Sequence, residues 1–273
     1  AARGRSRRRR DVCAFPPLRI EFPARPAATS LFAGQRRLRL VTHCQPSESF
    51  RNFTLLEYAA YRIQNVVSPL AAQVRLVRID YVDGNSDRPF ISRMGFFIED
   101  MDDAARRNGL VETEFRQRVR VAQLDNVAAA RAAVFQFMLG NLDWALNAGP
   151  AGEACCHNVK LFAPAGATTA LIAVPYDFDY SGLVNAPYAV PPEQVPVRNV
   201  RTRRYRGFCT HNQEAQAAAA EFLAARPRIF AALNAVPELD EGPRRSATAF
   251  LERFFDEIAT PQDVERNLLR TCL

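Results

Sequence analysis

The spacing of apolar residues changes character once along this chain, near residue 100, and that switch narrows the folds open to it. Before it, short segments alternate. In "RLRLVTHC", Arg37, Arg39, Val41 and His43 fall on one face and Leu38, Leu40 and Thr42 on the other, the period-two signature of a strand with one buried side. "PLRIEFP" alternates after a proline pair and "TSLFAGQ" ends in a glycine turn, so three short antiparallel strands are expected here. "QVRLVRIDYVDG" and "RMGFFIED" read as two more strands, joined by a hairpin that the "DG" step announces. One helix interrupts this half. In "FRNFTLLEYAAYRIQNVVS", Phe53, Leu56, Tyr58, Ala59, Ala60, Ile63, Val66 and Val67 recur at helical spacing, and Pro69 stops the run.

Past the switch the period is helical. "MDDAARRNG" is a short helix ending at glycine, and "VAAARAAVFQFMLGN" is apolar on more than one face, as a buried helix is. Two short strands follow, "NVKLF" and "LIAVPYDF", joined by "APAGATTA". After the proline-rich "NAPYAVPPEQVPVRN" come three helices: "NQEAQAAAAEFLAARPRIFAAL", "PRRSATAFLERFFDEIA" and "PQDVERNLLRTCL", the last with Thr260 as N-cap before Pro261. No βαβ succession and no internal repeat is present. Segregated strands and helices predict an α+β fold in two parts: a small antiparallel β lobe with one helix over residues 1–100, a connection near residues 98–103, and a larger helical lobe over 101–273.

Composition excludes several classes. At 273 residues, 48% hydrophobic and 24% charged, the chain can bury a sizeable core and is not disordered. Its net charge of +7 is local: Arg3, Arg5, Arg7, Arg8, Arg9 and Arg10 lie in the opening "AARGRSRRRR", and 7 − 6 leaves +1 for everything else. That run reads as a solvated edge or a phosphate-binding segment. No basic stripe with interleaved aromatics remains to bind nucleic acid. No apolar stretch reaches the roughly 20 residues of a membrane helix. The chain starts without methionine, inside the arginine run, so a fragment lacking its natural N-terminus is expected. Six cysteines, none at zinc-ligand spacing, suit disulfides in an exported protein, with Cys13 to Cys44 and Cys155 or Cys156 to Cys209 the expected pairs. Scattered buried thiols in a cytosolic protein are the alternative. His43, His157 and His211 show no metal-ligand spacing, and Lys160, the sole lysine, reads as a strand-surface residue.

Chemistry concentrates at residues 139–182. The buried helix ends in "LGNLDWALN", which puts Asp143 between two asparagines; Asn158 precedes the first short strand, and Asp177 ends the second. The two ends of a hairpin lie side by side, so Asn158 and Asp177 come together. A site holding a nucleoside triphosphate through magnesium needs such a set: hard oxygen ligands, and a separate carboxylate to orient or deprotonate a hydroxyl.

"GNLDW…HNVKLF…VPYDFDYSG" resembles the catalytic segment of the atypical protein-kinase-like family typified by spore-coat CotH proteins and, more distantly, of HipA-type kinases. Upstream, residues 37–84 resemble the nucleotide-side strand, the following helix and the strands leading to the hinge; "RMGFFIEDMDD" resembles the hinge strand, with Glu99 on the nucleotide side. The similarity spans roughly two thirds of the chain, and "DFD" is its most specific part. It implies a bilobal protein-kinase-like fold using ATP and Mg2+, with Mn2+ as an alternative, and an unidentified protein substrate. Asp143 would be the catalytic carboxylate, Asn158 and Asp177 the metal ligands, and Asp179 an assistant. Asn147 competes with Asn158; "NAGPAGEACC" between them reads as an insertion. Glu57 matches the helix glutamate that pairs with a phosphate-binding lysine. In place of that lysine the chain offers Arg39 or Arg37, which are not equivalent to it. "RGRS" resembles a remnant of the family's "RGN"-type turn. A pseudokinase serving as an interaction module is the second expectation, and a metal-dependent nucleotide-sugar transferase, on the strength of "DFD" alone, the third. An extracytoplasmic location, periplasmic or secreted, is expected.

Overall fold

A computed structural model of the protein describes residues 1–4, 6–85 and 87–273. The first half forms an antiparallel sheet of four strands, β1 (Leu18–Glu21), β2 (Arg37–Val41), β3 (Val74–Val82) and β4 (Pro89–Ile98), in the order β1-β2-β4-β3. The expected β3–β4 hairpin forms, with Val82 paired to Pro89 and a turn at Gly84 and Asn85, where the Asp83 carboxylate accepts the Asn85 N–H. Helix α1 (Ser49–Val67) packs on this sheet, against β3 and β4. Leu38 and Leu40 of β2 are buried, in keeping with the alternation. Val41 is fully buried too, although it shares a face with the arginines, because at the strand end it pairs with Phe96 in the packed middle of β4.

"TSLFAGQ" is not a strand. Its backbone closes on itself in turns, Ala33 N–H to Ser30 O at 3.1 Å and Gln35 N–H to Phe32 O at 3.0 Å, and the Ser30 hydroxyl accepts the Phe32 N–H. Local bonds of this kind satisfy the donors that a ladder would otherwise need.

The second half holds α2 (Met101–Arg107), β5 (Val111–Thr113), α3 (Asn126–Leu139), β6 (Val159–Ala163), β7 (Ile172–Pro175), α4 (Asn212–Asn234), α5 (Glu241–Glu257) and α6 (Pro261–Asn267). The expected strand pair β6–β7 forms, and β5, too short to show a period, adds to its edge through Val111 opposite Ala163. The order of this second sheet is β5-β6-β7. Thr260 caps α6 by accepting the Asp263 N–H. That helix stops earlier than expected, at Asn267, and a 3-10 turn at Leu269–Thr271 follows. The fold is α+β, with two small antiparallel sheets and six α-helices among the described residues. Its buried side chains form one cluster that runs from Val41 and α1 through α3 to α4, α5 and Leu269.

Three disulfides are present. Cys13–Cys44 is the expected pair. The expected bond from Cys155 or Cys156 to Cys209 is not made: Cys155 bonds Cys156, and Cys209 bonds Cys272. The C-terminus folds back beside Gly207 and Cys209, with Leu273 N–H on Gly207 O at 2.8 Å and Cys209 N–H on Leu273 O at 3.1 Å, and this makes Cys272 the neighbouring thiol. These bonds are compatible with an extracytoplasmic location, and no helix among the described residues is long and apolar enough to cross a membrane.

Candidate functional site

Asp143 owes its position to the way α3 ends. Asp125 caps the start of this helix through the Ala128 N–H at 2.8 Å, and ten of its residues, from Ala129 to Leu139, are buried. Gly140 then turns the chain in the left-handed region at φ 61°. A side chain at this point would strike the Phe250 ring at 2.8 Å. The Asn141 carboxamide accepts the Asp143 N–H at 3.0 Å, and its backbone carbonyl takes the Trp144 indole N–H at 2.8 Å. Arg206, stacked 5.4 Å from the Trp144 ring, donates to Leu142 O at 2.6 Å and Trp144 O at 2.9 Å. Both carbonyls flanking Asp143 are thus clamped, and its carboxylate stays about one-third exposed.

Two neighbours hold that carboxylate. His157 Nε2 lies 2.7 Å from Asp143 Oδ1, and Asn158 Nδ2 donates to Asp143 Oδ2 at 3.0 Å and to its backbone oxygen at 2.6 Å. The bond to Asp143 raises the His157 imidazole above its ordinary value, against the opposing effect of burial. Asn158 immediately precedes β6 and Tyr176 follows β7; Tyr176 N–H bonds Asn158 O at 3.0 Å and closes the hairpin ends together. Asp177 comes next, in the left-handed region at φ 64°.

Helix α1 approaches this hairpin with Glu57, Tyr61 and Gln64, which share one face at helical spacing. Gln64 Nε2 donates to Pro175 O at 2.7 Å, and the Tyr61 hydroxyl accepts the Asp177 N–H at 2.9 Å. Glu57 is 2% exposed beside Asp177 and the buried Asp179. One carboxylate oxygen from each of these three lies within 4.8 Å of the others. Between them sits Arg7, which sequence reading left undistinguished in its run: Nη1 to Glu57 at 3.1 Å, Nη2 to Asp177 at 3.2 Å and Nε to Asp179 at 3.1 Å. Burial opposes the Arg7 charge, but Asp179 and Glu57 outweigh it and hold the guanidinium charged well above its ordinary range. Burial pushes the Glu57 and Asp179 carboxyls upward, against the pull of Arg7.

Arg7 reaches this place because the N-terminal segment lies across the cleft. Ala1 and Arg3 bond along β1, Arg19 N–H to Ala1 O at 2.7 Å and Arg3 N–H to Pro17 O at 2.8 Å. A 3-10 turn at Ser6–Arg8 follows, and the Cys13–Cys44 bond pins the far side. The resulting cleft, about 500 Å3, is lined by Arg3, Gly4, Arg7 and Arg9 on one wall and by Asp143, His157, Asn158, Asp177 and Asp179 on the other.

Of the residues singled out from sequence, the structure brings Asp143, Asn158, Asp177 and Asp179 to one cleft, with Glu57 behind them. Arg39 lies nearby, its guanidinium 5.3 Å from the Tyr176 ring centre. Three others go elsewhere. Arg37 is bound to Asp100 at 2.7 Å and Asp102 at 2.6 Å, and Glu99 to Arg107 at 3.0 Å and to the Gln73 N–H. Asn147 is buried, its backbone oxygen taking the Val119 N–H, and it does not line the cleft. Lys160 pairs with Glu112. Sequence reasoning missed Arg3, Arg7, His157 and Arg206. His157 carried a signal, since it directly precedes Asn158; within a run of arginines, Arg7 carried none. No family model, curated protein or solved structure matches the chain.

Proposed function

We propose that this cleft binds a nucleoside triphosphate with a divalent cation and transfers the terminal phosphoryl group to a hydroxyl, in the manner of a bilobal, CotH-like atypical protein kinase. The observation that carries the reading is the convergence of Asp143, Asn158 and Asp177, up to 34 positions apart (177 − 143), on one cleft backed by a buried arginine–glutamate pair. The donor set suits Mg2+ or Mn2+. Asn158 spends its amide nitrogen on Asp143, which leaves its carboxamide oxygen, and Asp177 is about one-third exposed with only Oδ1 bonded to Arg7. Asn158 and Asp177 would hold the ion, whose chemistry is neutralisation of phosphate charge.

The chain's own groups do the rest. Asp143, fixed by Arg206 and Asn141, accepts the proton of the acceptor hydroxyl as that oxygen bonds to phosphorus and the bond to the leaving diphosphate breaks. The products are a phosphoester and a nucleoside diphosphate. His157 keeps Asp143 oriented and stabilises its negative charge. Most of the acceleration comes from positioning and charge stabilisation. An exported compartment, periplasmic or secreted, fits the three disulfides.

Calorimetric titration with Mg-ATP, followed by phosphate transfer to a panel of proteins, tests this. Asp143→Asn is expected to retain nucleotide binding and to lose transfer by about 10²- to 10⁴-fold. Absence of any magnesium-dependent nucleotide binding to the wild-type protein would end the reading. One observation favours a second: Arg7 satisfies Glu57, Asp177 and Asp179 together, which suits an inactive, pseudokinase-like module. Nucleotide binding without transfer, indifferent to Asp143→Asn, selects it.

A further inference from the structure

The arginines around the cleft are not equivalent. Each nitrogen of the Arg7 guanidinium is committed to a carboxylate, so Arg7 organises the acidic wall and has little left to offer an anion. Arg9 is satisfied by Asp11 at 2.5 Å. Arg3 is different. It lines the cleft and its Nε is buried without a hydrogen-bond partner, and among the described residues its guanidinium has no ion pair. Burial lowers its pKa, the neighbouring charges of Arg7 and Arg39 add to that, and the fields of Asp177 and Tyr61 oppose it without outweighing it. Arg39 projects from β2 into the same neighbourhood. It too has no carboxylate partner, only the face of Tyr176, and it is close enough to Arg3 for the two like charges to repel.

Two mutually repelling guanidiniums without a counter-ion, one of them with its Nε buried and unpartnered and the other half-buried, are unfavourable in an empty site. They become favourable once an anion lies between them, because the planar fork of arginine matches phosphate oxygens and pairs with them in two-point contacts. The position is also suitable: Arg3 lines the same cleft as Asp177 and Asn158, where a phosphate chain would meet a cation that those two would hold. Gly4, at φ 89°, turns the backbone just after Arg3 and, carrying no side chain, leaves the approach open.

We infer that Arg3 and Arg39 form a polyphosphate-binding subsite at the mouth of this cleft, filling the role that a single lysine would otherwise have. That the polyphosphate belongs to a nucleotide rests on the phosphoryl-transfer reading; the anion subsite does not.

The test is calorimetric titration of the full chain with inorganic tripolyphosphate, Mg-ATP and adenosine, using wild type, Arg3→Met, Arg39→Met and Arg3→Lys, each checked for folding by thermal unfolding. Tripolyphosphate affinity is expected to fall about tenfold or more in each methionine variant. Arg3→Lys should recover part of the loss, and adenosine binding should not change. Wild-type protein that fails to bind tripolyphosphate, or methionine variants that bind it within about twofold of wild type, would overturn the subsite. If the subsite behaves as expected but Mg-ATP binds no tighter than tripolyphosphate and no transfer occurs, the subsite stands and the kinase reading falls. If Mg-ATP binds and transfer proceeds equally in wild type and both methionine variants, the kinase reading stands and the subsite falls.

Discussion

Arg7 joins three elements through a single side chain, tying α1 at Glu57 to the segment after β7 at Asp177 and Asp179. Buried charges are tolerated only when paired, and removing one partner leaves the others uncompensated. Arg7→Met should therefore cost about 3–5 kcal/mol of stability at neutral pH. The pH dependence has a definite sign. Without Arg7 the Glu57 and Asp179 carboxyls, already raised by burial, rise further, so their protonated forms favour the fold. Stability from such groups is present below their unfolded values near 4 and is lost as pH rises through the folded ones. The deficit of Arg7→Met should accordingly be smaller at pH 4 than at pH 7, and Arg7→Met/Glu57→Gln/Asp179→Asn should recover most of it. Urea titrations at both pH values measure this; an equal deficit at both would show that the Arg7 charge is not what matters.

Among the secondary-structure elements, α3 sets the site. Its apolar residues surround the helix, so it runs through the core, and its C-terminus delivers Asp143 at the surface of the cleft. That delivery depends on Gly140, whose φ of 61° disfavours any side chain and whose missing Cβ makes room for Phe250. Gly140→Ala is expected to destabilise by about 1–3 kcal/mol and to weaken the Asn141 and Arg206 contacts that fix Asp143. Chemical denaturation gives the first quantity, and the His157 titration followed by NMR gives the second, since its raised pKa depends on the bond to Asp143. An unchanged His157 titration in a destabilised variant would separate the helix end from the site. The alternating and helical periods made α1, α3 and the β6–β7 hairpin legible in the sequence, whereas three-residue β5 has no period to read, and the turn bonds around Ser30 outcompeted the strand expected there.

For the molecule as a whole, the N-terminal segment works as a cover stapled to the core. It meets the sheet along β1, crosses the cleft with Arg3 and Arg7, and is closed by Cys13–Cys44, a separation of 31 residues. Closing a loop of that size restricts the unfolded chain by about 3–4 kcal/mol in the chain-entropy view. Cys13→Ser/Cys44→Ser should lower stability by up to that amount and speed trypsin cleavage after Arg8 to Arg10 in the native protein, read by mass spectrometry of early fragments. Unaltered cleavage kinetics would mean that the ion pairs of Arg7 alone hold the cover down.

By itself the amino-acid order determined the segregation of strands from helices, hence the α+β class, and the succession of Asp143, Asn158 and Asp177 with the last two at adjoining hairpin ends. These are local properties, written in periods of two and 3.6 residues and in turn chemistry. Only the tertiary structure decided which of six nearly interchangeable arginines enters the acidic triad, which asparagine meets Asp143, and that Cys209 bonds Cys272. Such choices join residues as far apart as Arg7 and Asp177, 170 positions along the chain, and depend on the path of the backbone between them. A local pattern specifies which side of an element is buried; it does not specify what the element is buried against.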